Sequence, residues 1–181
     1  MAGRNDFEGI DLDPQVAERA AQFDYSGDVI CAGGPAAEAS WRLLLTHTSA
    51  EWSGDIDATM ATMTRNDPFQ IMYGTGLNIR GWEAVRDFYA GRLQTFQGQA
   101  FVPQRWIVSD AVIVGNGYFA GTPSGVFFGV HTTGKRLCLP MTVWIHFEDG
   151  LIKGEAAYLD GHELRQQIAH GTDRSPTDIV W

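Results

Sequence analysis

The stretch Gly81-Trp-Glu-Ala-Val-Arg-Asp-Phe-Tyr-Ala90 decides the fold, because it begins a helix just before the hydrophobic pattern of the chain changes. From Gly81 to about Phe96 the apolar residues recur at helical spacing. After Gly98 they alternate with a period of two, which predicts strands. Helices first and a run of antiparallel strands second are typical of the α+β class, with the helices on one face of a sheet.

The strands are predicted over residues 101–109, 111–120, 126–132, 137–147 and 151–159. Turn residues separate them. The clearest turn is Glu148-Asp-Gly150, a tight hairpin connection in which the glycine supplies a positive φ angle. A short C-terminal helix follows, with Leu164 and Ile168 facing inward.

Two further helices and a short strand precede Gly81. The first helix is indicated by an apolar stripe at helical spacing, formed by Trp41, Leu44, Leu45, Thr48 and Trp52. A shorter helix, capped by Ser53, carries Ile56, Met60 and Met63, and residues 69–73 form the strand. We therefore predict an N-terminal arm (1–35), one domain (36–170) and a C-terminal tail (171–181).

Length and charge restrict the function. The 181 residues predict one domain that can bury a sizeable core. The 13 basic and 22 acidic residues give a net charge of −9, which argues against nucleic acid or an anionic membrane as a partner. No apolar run approaches a membrane span, and the first residues do not resemble a secretory signal, so we expect a cytoplasmic protein.

Two segments carry a resemblance to a known family. The quoted 81–90 stretch is similar to the signature that opens the third helix of the nuclear transport factor 2-like superfamily, in its SnoaL-like (polyketide cyclase and ketosteroid isomerase-related) branch. The run Phe147-Glu-Asp-Gly-Leu-Ile152, followed by Tyr158-Leu-Asp160, resembles its closing hairpin. The resemblance implies a cone-shaped, strongly curved, mostly antiparallel sheet packed against three N-terminal helices, with an apolar interior and no cofactor.

The resemblance also implies where acid–base residues belong. Many catalytic members carry a carboxylate seven residues after the turn glycine and a His or Asp seven residues before it. Here those positions hold Ala157 and Val143, which cannot transfer a proton. Glu155 lies on the same strand face as Ala157, because side chains alternate with period two. It is either a displaced general base or a rim carboxylate in water.

Asp160 has two interpretations. It matches the family's Tyr-x-Asp motif and is a candidate catalytic acid that Tyr158 could orient. Its spacing to Glu163 also predicts a capping box at the start of the last helix, and this structural interpretation is favoured. A register slip of one residue would turn Tyr158 and Asp160 inward in place of Glu155.

The other candidate site residues are dispersed along the chain. His47 lies near the first helical stripe and is either a proton relay or a half-exposed histidine. Tyr73 and Asn116 are candidate hydrogen-bond partners of a ligand, or else parts of the core and the sheet. His131 could reach the cone's mouth, and Met141 and Trp52 join Val143 and Ala157 as candidate pocket lining. The histidine and cysteine spacings match no metal site.

These residues predict a cofactor-independent acid–base enzyme of the cyclase, isomerase, dehydratase or hydrolase type. Its substrate would be an apolar, oxygen-bearing molecule such as a polyketide, terpenoid or steroid. The alternatives are a non-catalytic binding protein and a dimeric interaction module. An enzyme should have a pocket with convergent polar groups, one with a perturbed pKa. We also expect a homodimer through the open sheet face around Trp144 and His146.

Overall fold

A computed structural model describes residues 5–7, 11–20, 27–172 and 174–175. Most of the predicted tail and part of the predicted arm lie outside these residues. The described part of the chain is α+β, as the sequence predicts. Its helices are α1 (Pro14–Ala20), α2 (Pro35–Trp52), α3 (Ile56–Ala61), α4 (Trp82–Thr95) and α5 (Gly161–His170).

The strands form one large mixed sheet and one small hairpin. Their bounds are β1 (Asp28–Cys31), β2 (Phe69–Tyr73), β3 (Leu77–Arg80), β4 (Phe96–Val108), β5 (Val112–Pro123), β6 (Val126–Phe127), β7 (Val130–His131), β8 (Leu137–Glu148) and β9 (Leu151–Tyr158). The large sheet has the order β1-β4-β5-β8-β9-β2-β3. Its centre, β4-β5-β8-β9, is antiparallel, while β1 joins β4 and β2 joins β9 in parallel.

The sequence prediction is wrong at three elements of the sheet. Residues 126–132 are not one strand but the hairpin β6–β7, because Phe128 (φ 48°) and Gly129 (φ 74°) turn the chain back. A bulky residue rarely adopts positive φ, so the pattern hides this turn. Strands β1 and β3 were not predicted; each is only four residues long and depends on pairing with a neighbour. Part of the predicted arm is thus a strand of the sheet.

Side-chain caps define two helix starts. At α3 the cap is Asp55, whose carboxylate accepts from the backbone N–H of Ala58, and not the predicted Ser53. At α5 the Asp160 carboxylate accepts from the N–H groups of His162 and Glu163. These bonds satisfy donors that a helix start leaves unpaired.

The main core lies between helices α2, α3 and α4 and one face of the sheet, which we call the inner face. Trp41, Leu44, Val85, Trp106 and Ile145 are among its buried members. A second cluster packs α5 and the β6–β7 hairpin against the other end of that face. No helix in the described residues combines the length and the apolar character that crossing a bilayer requires.

Candidate functional site

A cavity of about 80 Å³ lies between helices α2 and α4 and the inner face of the sheet. Its apolar lining includes Leu44, Trp52, Phe101, Phe119, Met141, Val143 and Ile145. Its polar lining is Thr48, Glu51, Arg92, Gln99 and Glu155. An apolar wall with a few polar groups is the usual composition of a small-molecule site.

The β8–β9 hairpin brings Glu155 to this cavity. Its turn has Asp149 and Gly150 in the left-handed region (φ 51° and 74°), which suits a two-residue connection. The resulting register pairs Ile145 with Glu155 and Val143 with Ala157. Because Ile145 and Val143 line the cavity, Glu155 faces inward as the spacing predicted.

Behind Glu155 lies His47, which is fully buried on α2. Its Nδ1 is 2.6 Å from Thr62 Oγ1, and Thr62 in turn donates to the carbonyl of Thr59. Nδ1 therefore carries the proton. The Nε2 atom accepts from the Tyr89 hydroxyl at 3.1 Å and lies 3.7 Å from Glu155 Oε1.

The amide of Gln70 connects Glu155 to the same network. Its nitrogen donates to the Tyr89 oxygen at 2.5 Å and to Glu155 Oε2 at 3.2 Å. Gln70 lies directly opposite Glu155 in the parallel β2–β9 pair. Every donor in this hydrogen-bond network has an acceptor when His47 is neutral. The network therefore holds the four side chains in one arrangement.

A second charged pair completes the site. Glu51, one turn after His47 on α2, forms an ion pair with Arg92 of α4, and both side chains are largely buried. The guanidinium also lies 5.3 Å from the ring centres of Phe88 and Tyr89. The paired charges and the rings offset the cost of burying an arginine.

Burial governs protonation in this network. It lowers the pKa of His47 below the usual 6.5, and Glu155 opposes that shift. Burial, assisted by the nearby Glu155 carboxylate, raises the pKa of Tyr89 well above its usual value. Near neutral pH the imidazole is therefore uncharged and the phenol keeps its proton.

The same cluster bears on metal binding. His47, Glu51 and Glu155 each offer one ligand atom, and these atoms lie within 4.8 Å of one another. However, the Nε2 atom of His47 already accepts a bond from Tyr89, and Glu51 is paired with Arg92. A cation would have to displace both protein donors, so this geometry favours proton chemistry.

The structure brings together about half of the residues predicted for the site. Glu155, Met141, Val143 and Trp52 line the cavity. Ala157 is buried beside Val143, and His47 lies one contact behind Glu155.

The remaining predicted residues lie away from the cavity. Tyr73 and Tyr158 are each 46% exposed and stack on one another outside it, because Tyr158 has the opposite parity to Glu155. Asn116 points to the same outer face, and His131 is exposed on β7. Asp160 caps α5, which follows the structural interpretation of its spacing.

Sequence reasoning missed Glu51, Gln70, Tyr89, Arg92, Gln99 and Trp106. Two of them carried a detectable signal. Glu51 is four residues after His47 on one helix face, and Arg92 follows Val85 and Tyr89 on the apolar face of α4. A charge on an apolar helical stripe indicates a buried partner. Gln70 carried no such signal in the sequence, because its role depends on the parallel pairing of β2 with β9.

An α+β fold whose helices and sheet enclose an apolar cavity beside a buried hydrogen-bond network is typical of proteins that bind small molecules. The chain belongs to the SnoaL-like polyketide cyclase family, whose profile matches residues 46–168. No functionally curated protein matches it.

Solved structures share this fold. A proposed SnoaL-like polyketide cyclase from Jannaschia sp. CCS1 is similar with a TM-score of 0.67 and 20% identity, over 76% of this chain and 96% of its own. A proposed polyketide cyclase from Xanthomonas campestris pv. campestris has a TM-score of 0.62 and 17% identity, over 74% of this chain and 99% of its own. AclR, a proposed hydroxylase from Streptomyces galilaeus, has a TM-score of 0.58 and 15% identity, over 73% of this chain and 96% of its own.

Proposed function

We propose that the protein is a cofactor-independent acid–base enzyme acting on an apolar, oxygen-bearing small molecule such as a polyketide, terpenoid or steroid. One observation carries the proposal. Glu155 lines an apolar cavity and is connected through Gln70, Tyr89 and His47 to an ordered hydrogen-bond network. The family membership and the similar structures support the substrate class.

In the proposed mechanism Glu155 is the general base. Its carboxylate accepts from Gln70, which orients it, and takes a proton from the bound substrate. His47 is a positioning residue 3.7 Å away. Its proton is held on Nδ1 by Thr62, and its Nε2 accepts from the Tyr89 hydroxyl, which in turn accepts from Gln70. The network therefore holds the amide that orients Glu155, and the proton that Glu155 takes up is returned to the substrate.

The replacement of Glu155 by Gln tests the base directly. The probe is deuterium incorporation next to the carbonyl of an enolisable aryl ketone in D2O, followed by NMR. We expect the wild-type protein to accelerate exchange and Glu155→Gln to lose about 10²- to 10⁴-fold of that acceleration. Gln keeps the size of the side chain but cannot take up a proton.

Glu83→Gln is the matched control, because Glu83 is an exposed glutamate in the first turn of α4. It should leave the exchange rate unchanged. Exchange that is absent in the wild type, or equal in both variants, would contradict the proposal and favour a non-catalytic binding protein.

A binding protein of the same fold is the alternative function. It is favoured by Ala157 and Val143, which occupy the family's acid–base positions. Against it stand the polar groups that converge on the cavity and the lowered pKa of His47. A pure binder has no need of buried polar and charged groups around its cavity, because burying them costs desolvation energy.

We also propose a homodimer through the outer face of the sheet. Tyr73, Trp144 and Tyr158 form an exposed aromatic patch there, with Trp144 40% exposed. Exposed aromatic patches of this kind are typical of protein interfaces. A second copy of the chain would cover this patch and leave the cavity, on the inner face, open to ligand.

A further inference from the structure

Three of the residues that line the cavity each carry a buried nitrogen atom without a hydrogen-bond partner among the described residues. These atoms are Arg92 Nε, Gln99 Nε2 and Trp106 Nε1, and each is sealed from water. Buried donors in proteins are normally paired, so a cluster of unpaired ones around one cavity requires an explanation.

Two of the three donors are held in place by their surroundings, and the third lies at a strand bulge. The Arg92 guanidinium is fixed by its ion pair with Glu51. The Trp106 ring is 3% exposed, contacts Trp41 and Phe101 edge-on, and lies over Gly115, where any side chain would meet it. Gln99 lies at the bulge of β4 between Gln97 and Ala100. Donors held in this way are preorganised for an acceptor that enters the cavity.

The charges of the cavity decide which acceptor fits. Two carboxylates, Glu51 and Glu155, face one guanidinium, Arg92, which is already paired. A carboxylate ligand would add a further negative charge at low dielectric and would be repelled. An uncharged oxygen accepts hydrogen bonds from the same donors without that cost.

We propose that Arg92, Gln99 and Trp106 form a subsite for the uncharged carbonyl oxygen of the ligand. This subsite selects neutral ketones, aldehydes or esters over both hydrocarbons and carboxylates. The inference rests on the proposed function, since it places the carbonyl in the cavity that Glu155 lines. It makes the nitrogen donors, and not the apolar walls, the source of selectivity.

Binding of three small probes tests the subsite. Acetophenone carries a carbonyl, ethylbenzene has a similar shape without oxygen, and benzoate carries a charge. We expect acetophenone to bind about tenfold or more tightly than ethylbenzene, and benzoate to bind more weakly than acetophenone. Dissociation constants come from NMR titration of the full chain at pH 7.

Single variants assign the effect to the donors. Trp106→Phe removes the indole N–H and keeps an aromatic ring, and Gln99→Leu removes the amide. Each should weaken acetophenone by about three- to tenfold and change ethylbenzene by less than about twofold. Trp82→Phe and Gln97→Leu are matched controls, because neither residue lines the cavity. Circular dichroism checks the fold of every variant.

Equal binding of acetophenone and ethylbenzene, or tightest binding of benzoate, would overturn the subsite. So would variants that weaken both neutral probes equally. The same titrations on the Glu155→Gln variant separate the subsite from the proposed enzyme activity, because a binding measurement requires no turnover. Selective binding with no catalysed exchange would retain the subsite and reject the enzyme, and catalysis with unselective binding would do the reverse.

Discussion

His47 is a histidine buried among charged and polar residues of three elements. Glu51 lies on its own helix, Tyr89 and Arg92 on α4, and Glu155 on β9. Burial is the largest influence on its pKa and lowers it, Glu155 raises it, and Arg92 lowers it further. The buried imidazole therefore resists protonation more than it does in the unfolded chain.

The lowered pKa predicts acid sensitivity. Below pH 6.5 the unfolded chain takes up a proton at His47 that the folded chain does not, so the free energy of unfolding falls as the pH falls toward the folded pKa. Thermal unfolding at pH 7.5 and 5.5 should show this decline. The decline in stability should be smaller in the His47→Gln variant. Part of the decline should remain, because burial also lowers the pKa of His146.

His131→Gln provides the control for this measurement, since His131 is exposed on β7. The decline in stability between pH 7.5 and 5.5 should be the same in this variant as in the wild type. A His47→Gln variant with the full wild-type decline would mean that His47 is not the group responsible.

At the scale of single elements, α5 depends on its first residue. The Asp160 carboxylate accepts two backbone N–H bonds, from His162 and Glu163. Asp160→Ala should therefore cost about 1 kcal/mol of stability, measured by urea unfolding. Asp160→Asn retains the cap and should cost less. Both variants should keep catalysed deuterium exchange, and its loss in Asp160→Asn would restore Asp160 as a catalytic acid.

Strand β5 contains a glycine that the core requires. A Cβ atom at Gly115 would lie 2.3 Å from Trp106 Cζ3, so Gly115→Ala should destabilise the protein by about 1–3 kcal/mol. In contrast, a Cβ at Gly91 of α4 meets nothing within 4 Å, and Gly91→Ala should stabilise the helix by about 0.5–1 kcal/mol. Equal effects of the two variants in urea unfolding would contradict this packing.

The elements also show what sequence can predict. Helix α4 and the β8–β9 hairpin follow from local periodicity and turn chemistry, and counting from Gly150 therefore placed Glu155 correctly. Strands β1 and β3 are only four residues long; β1 depends on the distant strand β4, and β3 is the edge strand of a hairpin with β2. Tyr158 was included because it could orient Asp160, but the observed register of β8 with β9 places it on the face opposite Glu155. Arg92 and Glu51 were missed because their meaning emerges only as a pair.

At the scale of the whole molecule, the outer sheet face determines the expected assembly. Trp144→Glu would place a charge at the centre of the aromatic patch and should convert the proposed dimer to a monomer in analytical ultracentrifugation. Val126→Glu is a control on an exposed apolar residue of the separate β6–β7 hairpin, away from the outer face of the large sheet. A wild-type protein that is already monomeric at micromolar concentration would refute the dimer. The cytoplasmic location stays a prediction from the sequence.

The parallel pairing of β2 with β9 has a consequence for how the site arises. The hydrogen bond between Gln70 and Glu155 joins residues 85 positions apart. Closing so long a loop is entropically costly, and contacts between residues so far apart slow folding. A chain emerging from the ribosome can therefore build its helices before Gln70 orients the Glu155 carboxylate. The proposed site would therefore be assembled only once β9 has paired with β2.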